Sequence, residues 1–255
     1  FFPNIMSGPI ERGDHFLGQL REITEKKRRE LLNYDRVMQG LIAMLLGYGM
    51  KLIVAQRAEI LVNQVYSMYQ DANSFTMLMA AFFYAVQIYC DFASYSMIAV
   101  GVGRLFGFEL VQNFKQPYFA KNLTDFWRRW HMTLGRWFRQ YVYIPLGGNR
   151  VSRGKWVRNI LVVWGLTGLW HGADWNFLLW GLYYGVLLLI EKLWLGKYLE
   201  RLPKALRWLL CMIIVCIGWV MFNLTDFAQM RCALARMFRF THVALSQSLA
   251  ADVSI

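Results

Sequence analysis

Long apolar runs separated by shorter polar stretches set the pattern of this chain. The runs lie at roughly 37–56, 75–103, 157–172, 175–195 and 206–224. Each approaches the ~20 apolar residues that a helix needs to cross a bilayer. Asp91 interrupts the second run, and a polar stretch at 57–74 follows the first, with Arg57 its only basic residue. The pattern predicts an all-α, polytopic bundle of transmembrane helices.

Residues 122–141 follow a different rule. Asn122 is placed to cap a helix, with Asp125 three residues on in the manner of a capping box. On a helical wheel Arg128, Arg129, Arg136 and Arg139 share an arc of about 100°. Trp130, Leu134, Trp137, Phe138 and Tyr141 take the opposite side, with Trp127 and His131 at its margins. One continuous helix of this kind lies at the membrane interface or re-enters to line a polar cavity; it does not span lipid alone. Pro145-Leu146-Gly147-Gly148-Asn149-Arg150 predicts a turn after it.

Composition agrees with the pattern. The chain is 57% hydrophobic and only 17% charged, whereas a soluble domain is nearer half apolar and a quarter charged. The net charge of +12 does not point to nucleic acid, because the basic residues sit between the apolar runs. That is where the positive-inside rule places them. Putting 11–36, 104–158 and 192–207 on the cytoplasmic side satisfies the alternation of all the runs. The middle region is the most basic, with eleven Lys and Arg, and Lys26-Lys27-Arg28-Arg29 marks the first. Arg231, Arg236 and Arg239 then fall on the outer side as a mild exception.

The cysteines (Cys90, Cys211, Cys216 and Cys232) have no metal-ligand spacing and read as reduced packing residues. The chain begins Phe1-Phe2-Pro3 without an initiator Met and ends in the unpatterned Ala250–Ile255. Both ends are expected to be cuts in a longer protein, and 1–255 is expected to be one membrane domain.

His171 is the main candidate for chemistry. It ends an apolar run, in Trp164-Gly165-Leu166-Thr167-Gly168-Leu169-Trp170-His171-Gly172. An ionisable side chain at membrane depth costs free energy unless it is partnered. Imidazole also titrates in the range that suits a general base. Gly165, Gly168 and Gly172 allow close approach, and Trp170, Asp174, Trp175 and Asn176 supply aromatic walls and hydrogen-bonding groups. The structural alternative is a histidine bonded to a neighbouring carbonyl.

His131 either lines the same cavity or is an interfacial histidine beside Trp130. Two histidines without a third ligand make only a weak case for a metal site. Asp91 either orients a catalytic group or, more simply, braces neighbouring helices. The arginines of 128–139 suit either a phosphate-bearing donor or anionic lipid headgroups.

Three motifs in order resemble the membrane-bound O-acyltransferase family. They are Asp125-Phe126-Trp127-Arg128-Arg129-Trp130-His131-Met132-Thr133-Leu134, Tyr143-Ile144-Pro145-Leu146-Gly147-Gly148-Asn149-Arg150 and Gly168-Leu169-Trp170-His171-Gly172. Phe2-Pro3, Ser7-Gly8-Pro9-Ile10 and Gly218-Trp219-Val220-Met221-Phe222 fit the same pattern, although Asn223 stands where an arginine more usually follows the aromatic pair. The branch it looks like is that of the alginate O-acetylation proteins. A neighbouring branch transfers D-alanine toward teichoic acids, and Asp91-Phe92-Ala93-Ser94-Tyr95-Ser96 suits either.

The resemblance implies further helices before the Phe-Pro motif, a bacterial cytoplasmic-membrane location, and transfer of an acyl group, most simply acetyl, to hydroxyls of an exported polysaccharide. It makes His171 the essential histidine and His131 the second. Arg128, Arg129, Arg136, Trp130, Trp170, Asp91 and Asn176 then become candidates for the donor site or tunnel. The implied co-substrate is acyl-CoA or an acylated carrier, with no tightly bound cofactor and no metal. Implied partners are membrane lipid, the polysaccharide and a second, secreted acyltransferase. A transporter using Asp91 and His171 as a solute path, and a scaffolding subunit, are the alternatives from other classes.

Overall fold

The computed structural model describes residues 8–25 and 33–239. The Phe-Pro motif, Ser7, Lys26–Arg29 and the C-terminal stretch lie outside the described residues.

The described residues are mostly helical and contain no strand. In order they form α1 (Gly13–Glu25), α2 (Tyr34–Ser67), α3 (Ser74–Leu105), α4 (Leu123–Arg129), α5 (Met132–Phe138), α6 (Arg153–His171), α7 (Trp175–Leu199), α8 (Lys204–Asn223) and α9 (Phe227–Met237). Among them α2, α3, α7 and α8 are long and apolar enough to cross a membrane. The third apolar run forms α6, which falls short because its first turns carry Arg153, Lys155 and Arg158.

Two expectations change. The polar stretch at 57–74 is not a loop throughout: α2 continues to Ser67 and carries Arg57 and Glu59 as helix residues. The helix expected over 122–141 is two short helices, α4 and α5, followed by a π turn at Arg139–Tyr143.

The chain divides into two compact units. Among the described residues the first comprises 8–25, 33–56, 88–120 and 124–145, and the second comprises 57–87, 121–123 and 146–239. Each draws on segments far apart in sequence.

In the first unit α2 and α3 run antiparallel with their backbones close together. A Cβ on Gly40 would stand 2.9 Å from the Gly101 carbonyl, and one on Gly47 would stand 2.9 Å from the Ser94 carbonyl. Small residues at such crossings let membrane helices pack through backbone contact. Farther along the same pair of helices, Lys51 forms an ion pair with Asp91. Lys51 sits in a π segment, Met50–Ala55, within α2.

In the second unit α6 and α7 form a helical hairpin across Gly172-Ala173-Asp174. A Cβ on Gly168 would collide with the Phe177 carbonyl, and one on Gly181 with the Trp164 carbonyl. The motif glycine Gly168 therefore serves the α6–α7 crossing. Gly172 is closed in by the Phe177 ring, whereas a Cβ on Gly165 would meet nothing nearer than 3.9 Å.

The Pro145–Arg150 turn forms as expected, with Gly147 and Gly148 at positive φ of 95° and 56°. Asn159, fully buried on α6, holds this turn by donating to the carbonyls of Leu146 at 2.9 Å and Gly148 at 3.2 Å. Glu191, buried in the π segment of α7, accepts the Leu123 N–H at 2.7 Å and so satisfies a free donor at the start of α4.

Candidate functional site

His171 is the last residue of α6, and the extended Gly172 ends the helix directly after it. Three aromatic rings stand edge-on to the imidazole. Trp170, Trp180 and Phe222 have ring centroids 4.9, 5.1 and 5.2 Å from that of His171. Trp219 stacks on Trp180 with ring centroids 6.2 Å apart, and both rings are 1% exposed, so the inner part of this wall is firmly held. Trp170 is exposed. Among the described residues no hydrogen bond reaches the His171 ring, so the bond to a neighbouring carbonyl that a purely structural histidine would make is missing there.

Asn176, expected beside His171 as a hydrogen-bonding group, acts on the wall. It is fully buried, and its Nδ2 donates at 3.3 Å to the carbonyls of both Met221 and Phe222. These belong to the last turn of α8, whose carbonyls have no partner within the helix. The amide thereby holds the segment that presents Phe222 to the histidine.

His131 lies in the first unit and stands at the break between α4 and α5. Its backbone is left-handed, with φ 44° and ψ 54°. A non-glycine residue there stores strain of about 1–3 kcal/mol, which surrounding contacts must hold. Those contacts come from residues 113–115. The Asn113 carbonyl accepts the Met132 N–H at 2.9 Å, and the Lys115 N–H donates to the Arg129 carbonyl at 2.9 Å. The break frees two main-chain groups, and the neighbouring segment pairs with both.

The His131 ring is 4% exposed and meets the edge of Phe92 at a centroid distance of 4.7 Å. Its Nδ1 lies 3.1 Å from Oδ1 of Asn113. Trp130, 4% exposed, packs among Phe114, Phe126 and Tyr118.

The break also divides the expected aromatic face. Trp130, Leu134 and Phe138 are buried, while Trp137 and Tyr141 are 40% and 56% exposed. Arg129 pairs with Asp125 at 2.9 Å, and Arg128, Arg136 and Arg139 are exposed. Asp91 is the ion-pair partner of Lys51, which is the helix-bracing arrangement.

Lys51, Asn113 and Glu191 are polar residues that patterning passed over. Lys51 and Glu191 lie within apolar runs, and such positions are themselves a signal. Asn113 had none, because its importance comes from a partner eighteen residues away.

The first unit also contains a cavity of about 650 Å³. Asn113, Ser96, Tyr89 and Phe114 line it together with two cations, Arg104 and Lys115. Among the described residues no cluster of His, Cys, Asp and Glu is arranged to hold a metal ion.

Comparison with known proteins decides the family. The family model described as "MBOAT, membrane-bound O-acyltransferase family" matches residues 1–232. The chain belongs to the membrane-bound O-acyltransferase family. With several helices able to cross a bilayer, this member is a multi-pass membrane protein.

Among its relatives is a probable alginate O-acetylase of Azotobacter vinelandii, 33% identical over 248 residues, covering 96% of this chain and 48% of that protein. A peptidoglycan O-acetyltransferase of Helicobacter pylori is also 33% identical over 248 residues, with 96% and 46% covered. A teichoic acid D-alanyltransferase of Bacillus subtilis is 32% identical over 245 residues, covering 88% of this chain and 59% of that protein. The chain spans about half the length of the curated relatives it matches.

Proposed function

We propose that this member of the family is part of an O-acyltransferase of the bacterial cytoplasmic membrane. It moves an acetyl group from a cytoplasmic thioester to hydroxyls of an exported polysaccharide. The observation that carries the reading is the setting of His171. An imidazole at a helix end, walled by Trp170, Trp180 and Phe222 and without a hydrogen bond among the described residues, has a nitrogen to offer an incoming hydroxyl.

In the proposed step His171 takes the proton of the acceptor hydroxyl as its oxygen attacks the thioester carbonyl. The C–S bond breaks, the donor leaves as a thiolate, and the proton held by His171 is available to it. A placed histidine contributes about 10²–10⁴-fold in such a transfer. The names of the acetylating relatives support acetyl as the group and polysaccharide or peptidoglycan as the class of acceptor.

The donor is acyl-CoA or an acylated carrier. Its phosphate fits the basic surface of the first unit: Arg104 and Lys115 at the cavity, and the exposed Arg128 and Arg136. Arg129 is engaged with Asp125 within α4, and Asp91 with Lys51 between α3 and α2, so these two brace the helices that carry them. Residues 1–255 are assigned to a single membrane domain, supported by one uninterrupted family match over 1–232. The similarity to the D-alanyltransferase keeps D-alanyl transfer toward teichoic acid as a second reading. The family match weighs against a transporter or a scaffold.

The deciding experiment measures polysaccharide-bound O-acetyl in cells lacking the full-length protein and complemented with wild type or His171→Ala. Wild type restores acetylation and His171→Ala at equal protein level does not. Restoration by both removes His171 from the mechanism.

A further inference from the structure

We infer that Asn113 is a positioning residue that fixes His131 in a single tautomer, with the ring hydrogen on Nδ1. The inference rests on the acyl transfer proposed above, takes His131 as the second histidine of that site, where it helps to hold the donor, and adds how that histidine is set.

The orientation of the Asn113 amide is determined by its neighbours. The backbone N–H of Thr133 can only donate, and it lies 3.2 Å from Oδ1. The Thr133 hydroxyl reaches the same oxygen at 2.9 Å. That hydroxyl also accepts the Ile10 N–H at 3.1 Å, so its own hydrogen is directed to Asn113. At the other end of the amide, Nδ2 donates to Oγ of Ser96 at 3.3 Å. Exchanging the amide's oxygen and nitrogen would set two donors against each other at Thr133.

The atom facing His131 Nδ1 at 3.1 Å is therefore an acceptor. Nδ1 must carry the hydrogen, and in the neutral ring Nε2 is the nitrogen with a lone pair. The backbone joins the same two segments a second time through the Asn113 carbonyl, which accepts the N–H of Met132, the residue after His131. Asn113 is 2% exposed and lines the cavity, so a deeply held side chain forms part of the cavity wall and orients the histidine. The strained φ of His131 has a use here: it turns the ring onto Asn113 at the point where the helix breaks.

The test uses the full-length protein labelled with nitrogen-15 at histidine, with the His131 signals identified by their loss in His131→Gln. The wild-type spectrum is expected to show Nδ1 protonated and Nε2 bare; a protonated Nε2 with a bare Nδ1 overturns the assignment. Asn113→Ala should lower kcat/KM for the acyl donor by roughly tenfold or more, in line with lost orientation of a group that holds the donor. Asn113→Asp, which keeps an acceptor oxygen in place, should recover a large part of that loss. Full turnover in Asn113→Ala overturns the positioning role. The wild-type spectrum decides the tautomer even if Asn113→Ala does not fold. If His131→Ala retains full acyl transfer while wild-type Nδ1 is protonated, the tautomer stands and the placement of His131 in the reaction falls.

Discussion

The side-chain amide of Asn176 donates to the main-chain carbonyl of Phe222 at 3.3 Å and ties the start of α7 to the last turn of α8. Phe222 in turn lies edge-on to His171, so the catalytic candidate is oriented by an amide that does not bond to it. Removing the amide leaves the Met221 and Phe222 carbonyls without this donor, at a cost of about 1–3 kcal/mol for a buried group. Asn176→Leu is expected to lower the unfolding temperature of the purified protein and to reduce turnover. A variant with wild-type melting and wild-type turnover would show that Phe222 needs no such tether.

Gly168 and Gly165, both on the helix that ends at His171, are expected to respond in opposite ways. Gly168→Leu meets the Phe177 backbone and should abolish the monodisperse, detergent-solubilised protein. Gly165→Ala, with its nearest neighbours at 3.9 Å, should give protein at about wild-type yield. Size-exclusion profiles of the two variants compare them directly.

Lys51 and Asp91 pair between α2 and α3, where either charge alone is unfavourable in an apolar segment. Lys51→Leu and Asp91→Leu are each expected to reduce membrane-inserted protein. The exchange Lys51→Asp with Asp91→Lys should restore much of it, and quantitative immunoblots of membranes compare the three variants with wild type. No recovery in the exchanged protein would mean that the residues act separately.

Much of this protein was legible in its order of residues. The five apolar runs each became a helix, because the bilayer leaves few other ways to satisfy a backbone within an apolar segment. The Pro145–Arg150 turn formed because its glycines adopt the positive φ that the turn requires. The ordered motifs around His131 and His171 marked the family before any contact was known.

The tertiary structure decided what each polar residue touches. Periodicity drew one helix through 122–141, yet residues 113–115 supply partners for the two backbone groups freed at His131, and the helix breaks there. Asn176 reads as a neighbour of His171 in sequence, but its bonds go to α8, forty-five residues away. Asp91 reads as a lone carboxylate until α2 brings Lys51 to it. Apolar patterning and backbone propensity act within a few turns of chain, so sequence by itself determined the helices and the family. Hydrogen bonds and ion pairs between distant segments depend on where those segments pack, and only the fold could assign them.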